Sequence, residues 1–249
     1  MKIAIAQPTY LPWLGYFDLI DQVDKFVLLD TVQFEKQSWQ QRNRIKSPTG
    51  LEWLTVPVKI KGRSTQIIEE VEIAEPEFYK RHLNLVSARY RTSKYFKDFF
   101  PQFTGILEAS SRSKLADLNC RLIEWLVASL GITVPLVPSS TLKPEGQRSA
   151  LNLSICEQLG ATQYYSAIGS AAYLLSEVDL FSHKSIEVCF QNYAHPEYQQ
   201  LFPPFCPYAS VLDLLFNEGP RSTEIIRSGR RKFFSPREAA VNLNANVAF

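Results

Sequence analysis

Three groups of side chains in this chain combine residue types that bind or transform polar ligands. The first lies in Gln7-Pro8-Thr9-Tyr10-Leu11-Pro12-Trp13-Leu14-Gly15-Tyr16-Phe17. Gln7 both donates and accepts hydrogen bonds, and the hydroxyls of Tyr10 and Tyr16 suit sugar or phosphate oxygens. Pro8 and Pro12 stiffen the loop around Trp13, so less entropy is lost when it holds a ligand. The second group is Asp30, Gln33, Arg42, Asn43 and Arg44. Arg42 and Arg44 alternate on an expected strand and point to one face. Two guanidinium groups on one face suit a phosphate or carboxylate through paired hydrogen bonds. Asp30, at the end of an apolar run, is placed to orient a hydroxyl, accept a proton or bind a cation. The third group is Tyr193, His195, Tyr198 and Gln199, gathered around Pro196. Such a polar and aromatic mixture is costly to bury without partners, so it is expected to line a cleft. His195 is the first candidate for general acid–base work.

Two weaker signals accompany these. His82 follows Tyr79 on a helical stripe and titrates near neutrality, which makes it a second candidate acid or base beside a plain packing role. Tyr165-Ser166-Ala167-Ile168-Gly169-Ser170-Ala171-Ala172-Tyr173 reads as strand, small-residue turn and helix. Gly169 and Ser170 would open that helix, where amide N–H groups favour an anion, with Tyr173 beside them. The Gly-x-Gly-x-x-Gly, P-loop and Gly-x-Ser-x-Gly patterns are absent. Ser210 and Asp213 open a later helix and suit a cap or an orienting contact.

The elements that must carry these groups follow from periodicity. Short apolar runs at 2–6, 26–30, 132–137, 163–166 and 185–191 read as strands separated by helices. Trp13, Tyr16, Phe17, Ile20 and Val23 make a helical stripe over 13–23. Ser47-Pro48-Thr49-Gly50 is a turn signal that predicts a hairpin of 38–46 with 51–60, and 67–73 reads as a further strand. Helical patterns follow from Glu75 to Leu130, at 148–159, from Gly169 and at 209–217. The prediction is an α/β protein, a Rossmann-like parallel sheet with an inserted β-hairpin and helical segment. One domain is expected over 1–219, with 38–130 inserted after the second strand, and 220–249 as a loosely packed tail. In such sheets ligands bind beyond the carboxyl ends of the strands, where Gln7 and Asp30 fall.

Composition narrows the class. The 249 residues are 45% apolar and 21% charged, with a net charge of +2, an ordinary globular balance that gives no electrostatic footprint for nucleic acid. Cys120, Cys156, Cys189 and Cys206 are widely spaced, which argues against zinc or a disulfide framework. No stretch approaches the roughly 20 apolar residues of a membrane span, and the first residues do not read as a signal peptide. A cytoplasmic protein is expected, with no metal site.

The opening motif, the Asp30–Gln33 pair, Arg42-Asn43-Arg44, Leu54-Thr55-Val56-Pro57, the turn from Tyr165 to Tyr173, His195-Pro196-Glu197-Tyr198-Gln199 and Ser210-Val211-Leu212-Asp213-Leu214-Leu215-Phe216-Asn217 together resemble the WbqC-like proteins. Many relatives carry a histidine before the Gln-Pro pair, where this chain has Ala6. The resemblance implies transfer of a glycyl or other small acyl group to an amino sugar, free or nucleotide-linked, in bacterial surface-polysaccharide (O-antigen) synthesis. The opening is also similar to nucleotidyltransferases of the HIGH type, a HUP-like likeness that keeps ATP as the one cofactor to test. A third reading is a non-catalytic sugar- or nucleotide-binding partner.

Overall fold

In the computed structural model, residues 1–63, 65–110 and 112–246 are described. Five strands form one parallel sheet: β1 (Lys2–Ala6), β2 (Lys25–Leu28), β5 (Leu136–Pro138), β6 (Gln163–Ser166) and β7 (Glu187–Phe190). A separate antiparallel hairpin pairs β3 (Arg42–Ser47) with β4 (Gly50–Thr55). The sheet order is β5-β2-β1-β6-β7. The chain winds outward to β5 on one side of β1, then restarts on the other side with β6. The order therefore reverses between β1 and β6, and a crevice opens at such a point.

Alternation along the strands explains why both faces are covered. Ile3, Ile5 and Val27 belong to one apolar cluster, and Ala4, Phe26 and Leu28 to the other. Successive residues point to opposite faces, and parallel sheets are buried on both. The larger cluster is closed by α1 (Leu14–Ile20), α2 (Phe78–Tyr90), α3 (Phe96–Ala109) and α4 (Leu115–Ser129). The smaller one includes α5 (Ser149–Gln158), α6 (Ala171–Leu174) and α7 (Val178–Ser182). Every residue of α1 is buried, as befits a helix apolar almost all round. Its exception, Asp18, is satisfied by Arg230 at 2.9 Å and by Gln191 Nε2 at 3.0 Å.

Several expected elements move. Residues 67–73 are not a strand: Ile68–Glu70 is a 3-10 turn, and only isolated bridges such as Val58 to Ile73 pair this stretch. Ile68 and Val71, three apart, are both fully buried, which is the period of a 3-10 turn. The strand expected at 132–137 shortens to β5, because residues 132–135 form the approach from α4 and pairing begins at the Pro135 carbonyl, which accepts from the Phe26 amide at 3.0 Å. The hairpin begins at Arg42 rather than residue 38.

Residues 220–246 are built into the structure rather than loosely held. They follow α8 (Val211–Glu218) and form α9 (Ser222–Ser228) and α10 (Pro236–Asn246). Arg227 and Arg230 bind Asp21 of the loop after α1, and Phe234 pairs its backbone with Phe190 of β7 at 2.8 Å in both directions. Ala239 is fully buried.

Candidate functional site

Beyond the carboxyl ends of β1, β2 and β6 lies a crevice of about 760 Å³. Gln7 reaches it from the end of β1, Thr31 and Gln33 from the end of β2, and Tyr173 from α6. The opposite wall is Gly146, Gln147, Arg148 and Asn152, the approach to α5 and its first turn. Gln7 is fixed by Gln40, whose Nε2 donates to Gln7 Oε1 at 2.8 Å.

Asp30 braces the crevice from behind. It is 5% exposed. Its Oδ1 accepts from Ser139 Oγ and the Ser140 amide at 2.8 and 2.9 Å, and its Oδ2 from Ser140 Oγ at 2.7 Å. Both carboxylate oxygens are therefore used to tie β2 to the turn after β5. The Thr31 hydroxyl meets the same Ser139 Oγ at 2.9 Å.

A second cavity, of about 300 Å³, lies on the other side of the loop. Trp13, Tyr16, Trp39 and Tyr208 supply its aromatic walls, and Thr9, Asn43 and Arg44 its polar ones. The Arg44 guanidinium lies 5.4 Å from the rings of both Trp39 and Trp53, and that of Arg42 4.3 Å from Trp53. The alternation read from sequence thus holds: Arg42 and Arg44 share a face and stack on tryptophans. Neither Nε has a hydrogen-bond partner, and neither arginine forms an ion pair among the described residues. Asn43, between them in sequence, faces inward and holds the loop, donating to the carbonyls of Tyr10 and Leu11 at 3.2 and 2.7 Å. Leu11 sits at φ 46°, a left-handed conformation that a leucine keeps only when its surroundings hold it. Asn119 adds bonds to the carbonyls of Pro8 and Gln40. Gly15 is required because the Trp13 indole lies where a Cβ would project.

The two candidate histidines are both engaged with the fold. His195 Nε2 accepts from the Tyr208 amide at 3.1 Å, and its Nδ1 lies 2.9 Å from the Pro196 carbonyl, so Nδ1 carries the proton. The ring is parallel to Trp13 within 15° at 6.2 Å, and burial pulls its pKa below the ordinary imidazole value. His82 is 4% exposed. Its Nδ1 meets the Tyr10 hydroxyl at 2.7 Å and its Nε2 the Thr55 carbonyl at 3.1 Å. Burial lowers its pKa to about 4. Tyr10 is fully buried, so this pair braces the loop from inside rather than lining a cavity.

The third sequence group divides. Tyr193 packs edge-on against Trp13 at 5.7 Å, and its hydroxyl donates to the Ile226 carbonyl at 3.0 Å. Tyr198 instead donates to Asp213 Oδ2 at 2.8 Å, joining Tyr90 at 2.9 Å and Gln200 at 2.9 Å around one buried carboxylate. Burial raises the Asp213 carboxyl to about 6, with the buried Lys46 acting against that shift. Gln199 is exposed, and its amide bonds Glu218 at 3.3 Å. Ser210 caps α8, accepting from the Leu212 amide at 3.3 Å. Gly169 and Ser170 fall in a 3-10 turn before the four-residue α6, and Ser170 makes no side-chain cap.

Residues missed by sequence reasoning are Gly146, Gln147, Arg148 and Asn152, with Thr31 and Glu35, in the crevice and Tyr208 in the aromatic pocket. A turn signal in Pro144-Glu145-Gly146 before a helix was the available clue to the first four. Burial pushes the thiols of Cys120 and Cys156 up to about 12 and Cys189 up to about 11, away from nucleophilic reactivity. Among the described residues, no group of three or more His, Cys, Asp or Glu side chains is placed to hold a metal ion. No helix of the described residues is long and apolar enough to cross a membrane.

Comparison with known proteins agrees with the opening motif. The model of the WbqC-like protein family matches residues 7–225. An uncharacterized protein of Mycobacterium tuberculosis, Rv1507c, is 36% identical over 231 residues, covering 92% of this chain and 99% of that protein. No solved structure matches. The family match spans the loop, the crevice, the aromatic pocket and α8, and on it the chain belongs to the WbqC-like protein family.

Proposed function

We propose that this protein binds a nucleotide-linked amino sugar and transfers a small acyl group, glycine in the first instance, to the sugar's amino nitrogen during surface-polysaccharide synthesis. The observation that supports this reading is one stiff loop, residues 7–13, standing between two unlike cavities. It lends Gln7 to the polar crevice and Thr9 and Trp13 to the aromatic pocket. The crevice has the size of a small-molecule site and lies where nucleotides bind in sheets of this order. The aromatic pocket suits a sugar ring stacked on indole, with Arg44 held ready for a carboxylate or phosphoryl oxygen.

In the transfer, the amine nitrogen attacks the acyl carbonyl carbon. With an activated ester or thioester as the acyl donor, a C–N bond forms, the carbonyl carbon's bond to the donor's oxygen or sulfur breaks, that atom leaves with the bonding pair, and the nitrogen gives up a proton. Among the described residues, neither cavity is lined by a carboxylate other than Glu35, exposed on the crevice side of the loop, and in this reading it takes that proton from an amine reaching round from the sugar's pocket. Asp30, His82 and His195 act by positioning, since their polar atoms are already engaged.

A thermal-shift panel with ATP, a glycyl donor, acetyl-CoA and UDP- and dTDP-amino sugars tests the reading. A ligand at a hundred times its Kd adds about 2.7 kcal/mol to stability. The expected result is a shift with a nucleotide sugar, reduced in Arg44→Ala, and acylated sugar when the donor is added. A shift with ATP alone and release of pyrophosphate or AMP would replace this reading with nucleotidyl transfer or ligation, which the sheet order also accommodates. Sugar binding with no turnover across the panel would replace it with a non-catalytic binding partner.

A further inference from the structure

We infer that the approach to α5 and its first turn, Gly146 to Asn152, form a phosphoryl-binding subsite of the crevice. The choice of a diphosphate over a single phosphate rests on the nucleotide-linked reading above; the subsite itself does not.

The ten-residue α5 starts at Ser149 without any side-chain cap. The Ala150 amide bonds the Gln147 carbonyl at 3.1 Å, the amides of Ser149 and Leu151 need an acceptor from elsewhere, and the helix dipole favours a negative one. Two buried side chains in the same turn lack partners. Ser149 is fully buried and its Oγ has no hydrogen bond; Asn152 is 3% exposed, lines the crevice, and its Oδ1 has none. The other end of that amide meets the Tyr164 hydroxyl at 3.2 Å. A hydroxyl serves as donor or acceptor, so the amide can turn its NH2 to the cavity instead, and an anion selects that orientation.

Gly146 keeps the cradle open. It sits at φ 92°, and a Cβ there would lie 3.0 Å from the Ala150 Cβ and 3.3 Å from the Leu151 nitrogen, covering an amide of the first helical turn. Arg148 supplies the charge. It is exposed, lines the crevice, and has no ion-pair partner among the described residues. Glu35 is the opposing charge on the crevice wall. The turn at Gly169 and Ser170, where the sequence suggested an anion, precedes a helix of only four residues and lacks these features.

Titration calorimetry of the full chain with inorganic pyrophosphate, and separately with UDP, tests the subsite. Wild type is expected to bind both. Arg148→Ala and Asn152→Leu, at the charged and the carboxamide side chain of this turn that line the crevice, are each expected to weaken pyrophosphate roughly ten-fold or more, the loss of a hydrogen bond to a charged group. Arg81→Ala, a surface cation on α2 paired with Glu75, is expected to bind as wild type does; a loss there equal to that in Arg148→Ala would mean nonspecific charge attraction and overturn the inference. Circular dichroism confirms that each variant is folded. No pyrophosphate binding by wild type, or unchanged binding in both Arg148→Ala and Asn152→Leu, also overturns it. Pyrophosphate binding without any nucleotide-sugar binding leaves the subsite standing and defeats the functional reading. Nucleotide-sugar binding indifferent to Arg148→Ala does the reverse.

Discussion

The crevice and the aromatic pocket share a wall but are built in different ways. The crevice is made of strand ends, turns and the opening of a helix, and its shape is held by buried hydrogen bonds, those of Asp30 above all. The aromatic pocket is made of side chains stacked on one another, Trp13 on His195 and Arg44 against Trp39 and Trp53. Backbone-built sites present fixed donors, whereas stacked side chains offer area and adapt by rotation. The first suits a group recognised by its charge and the second a group recognised by its faces. A two-part ligand, charged at one end and ring-shaped at the other, fits both.

The comparison predicts its own asymmetry under mutation. Asp30→Ala should have the largest effect. It leaves the Ser140 amide and two serine hydroxyls without their acceptor, a loss of about 3 kcal/mol in urea or thermal unfolding. In the folded fraction, crevice ligands should bind far more weakly while ligands of the aromatic pocket are little changed. An equal loss at both cavities would mean that the two are one site.

The shared wall responds to acid. His82 accepts from Tyr10 of the loop, and burial holds its pKa at about 4 against an ordinary 6.5. A histidine whose pKa is lower in the folded chain takes up its proton first when unfolded. Its contribution is therefore complete above about pH 6.5 and is lost as the pH falls towards about 4, up to about 3 kcal/mol. Asp213 runs the other way. Raised to about 6, it contributes most below its unfolded value and loses that contribution as the pH rises through about 6. Unfolding curves of wild type and His82→Gln, subtracted at each pH, cancel Asp213 and isolate the histidine. The wild type should lose stability relative to the variant between pH 6.5 and 4; a flat difference would mean that His82 does not hold the loop in its neutral form.

Much of this organisation was legible from the chain. Ile3–Ala6 followed by Gln7-Pro8, and Phe26–Leu29 followed by Asp30, announce strands that stop at polar residues, and the sheet and hairpin follow from such runs. The alternation of Arg42 and Arg44 was equally readable. What was not readable depended on partners distant in sequence. Asp30 looks like a free carboxylate until Ser139 and Ser140, 109 and 110 residues away, arrive at its oxygens. The crevice wall at Gly146–Asn152 was hidden because Gln147, Arg148 and Asn152 share a cavity with Gln7 and Gln33, more than a hundred residues earlier, only in the folded chain. The stretch at 67–73 misled because Ile67, Ile68, Val71 and Ile73 suit a strand by propensity, while burial of Ile68 with Val71 imposes a tighter turn.

His195 gives the smallest predicted effect and the sharpest discrimination. By residue type it is the natural proton relay, yet its two nitrogens hold the Pro196 carbonyl and the Tyr208 amide, and its ring lies along Trp13. A general acid or base contributes roughly 10²- to 10⁴-fold to a reaction. A packing residue contributes only through the shape it preserves. His195→Phe keeps a ring beside Trp13 and forfeits two hydrogen bonds to backbone, about 1 kcal/mol each. Transfer measured with this variant should fall by less than about ten-fold in kcat, with the change concentrated in the KM for the sugar, and its pH–rate profile should keep the wild-type limbs. Loss of a limb together with a drop of a hundred-fold or more would return His195 to the chemistry and take the proton transfer from Glu35 to the aromatic side of the loop.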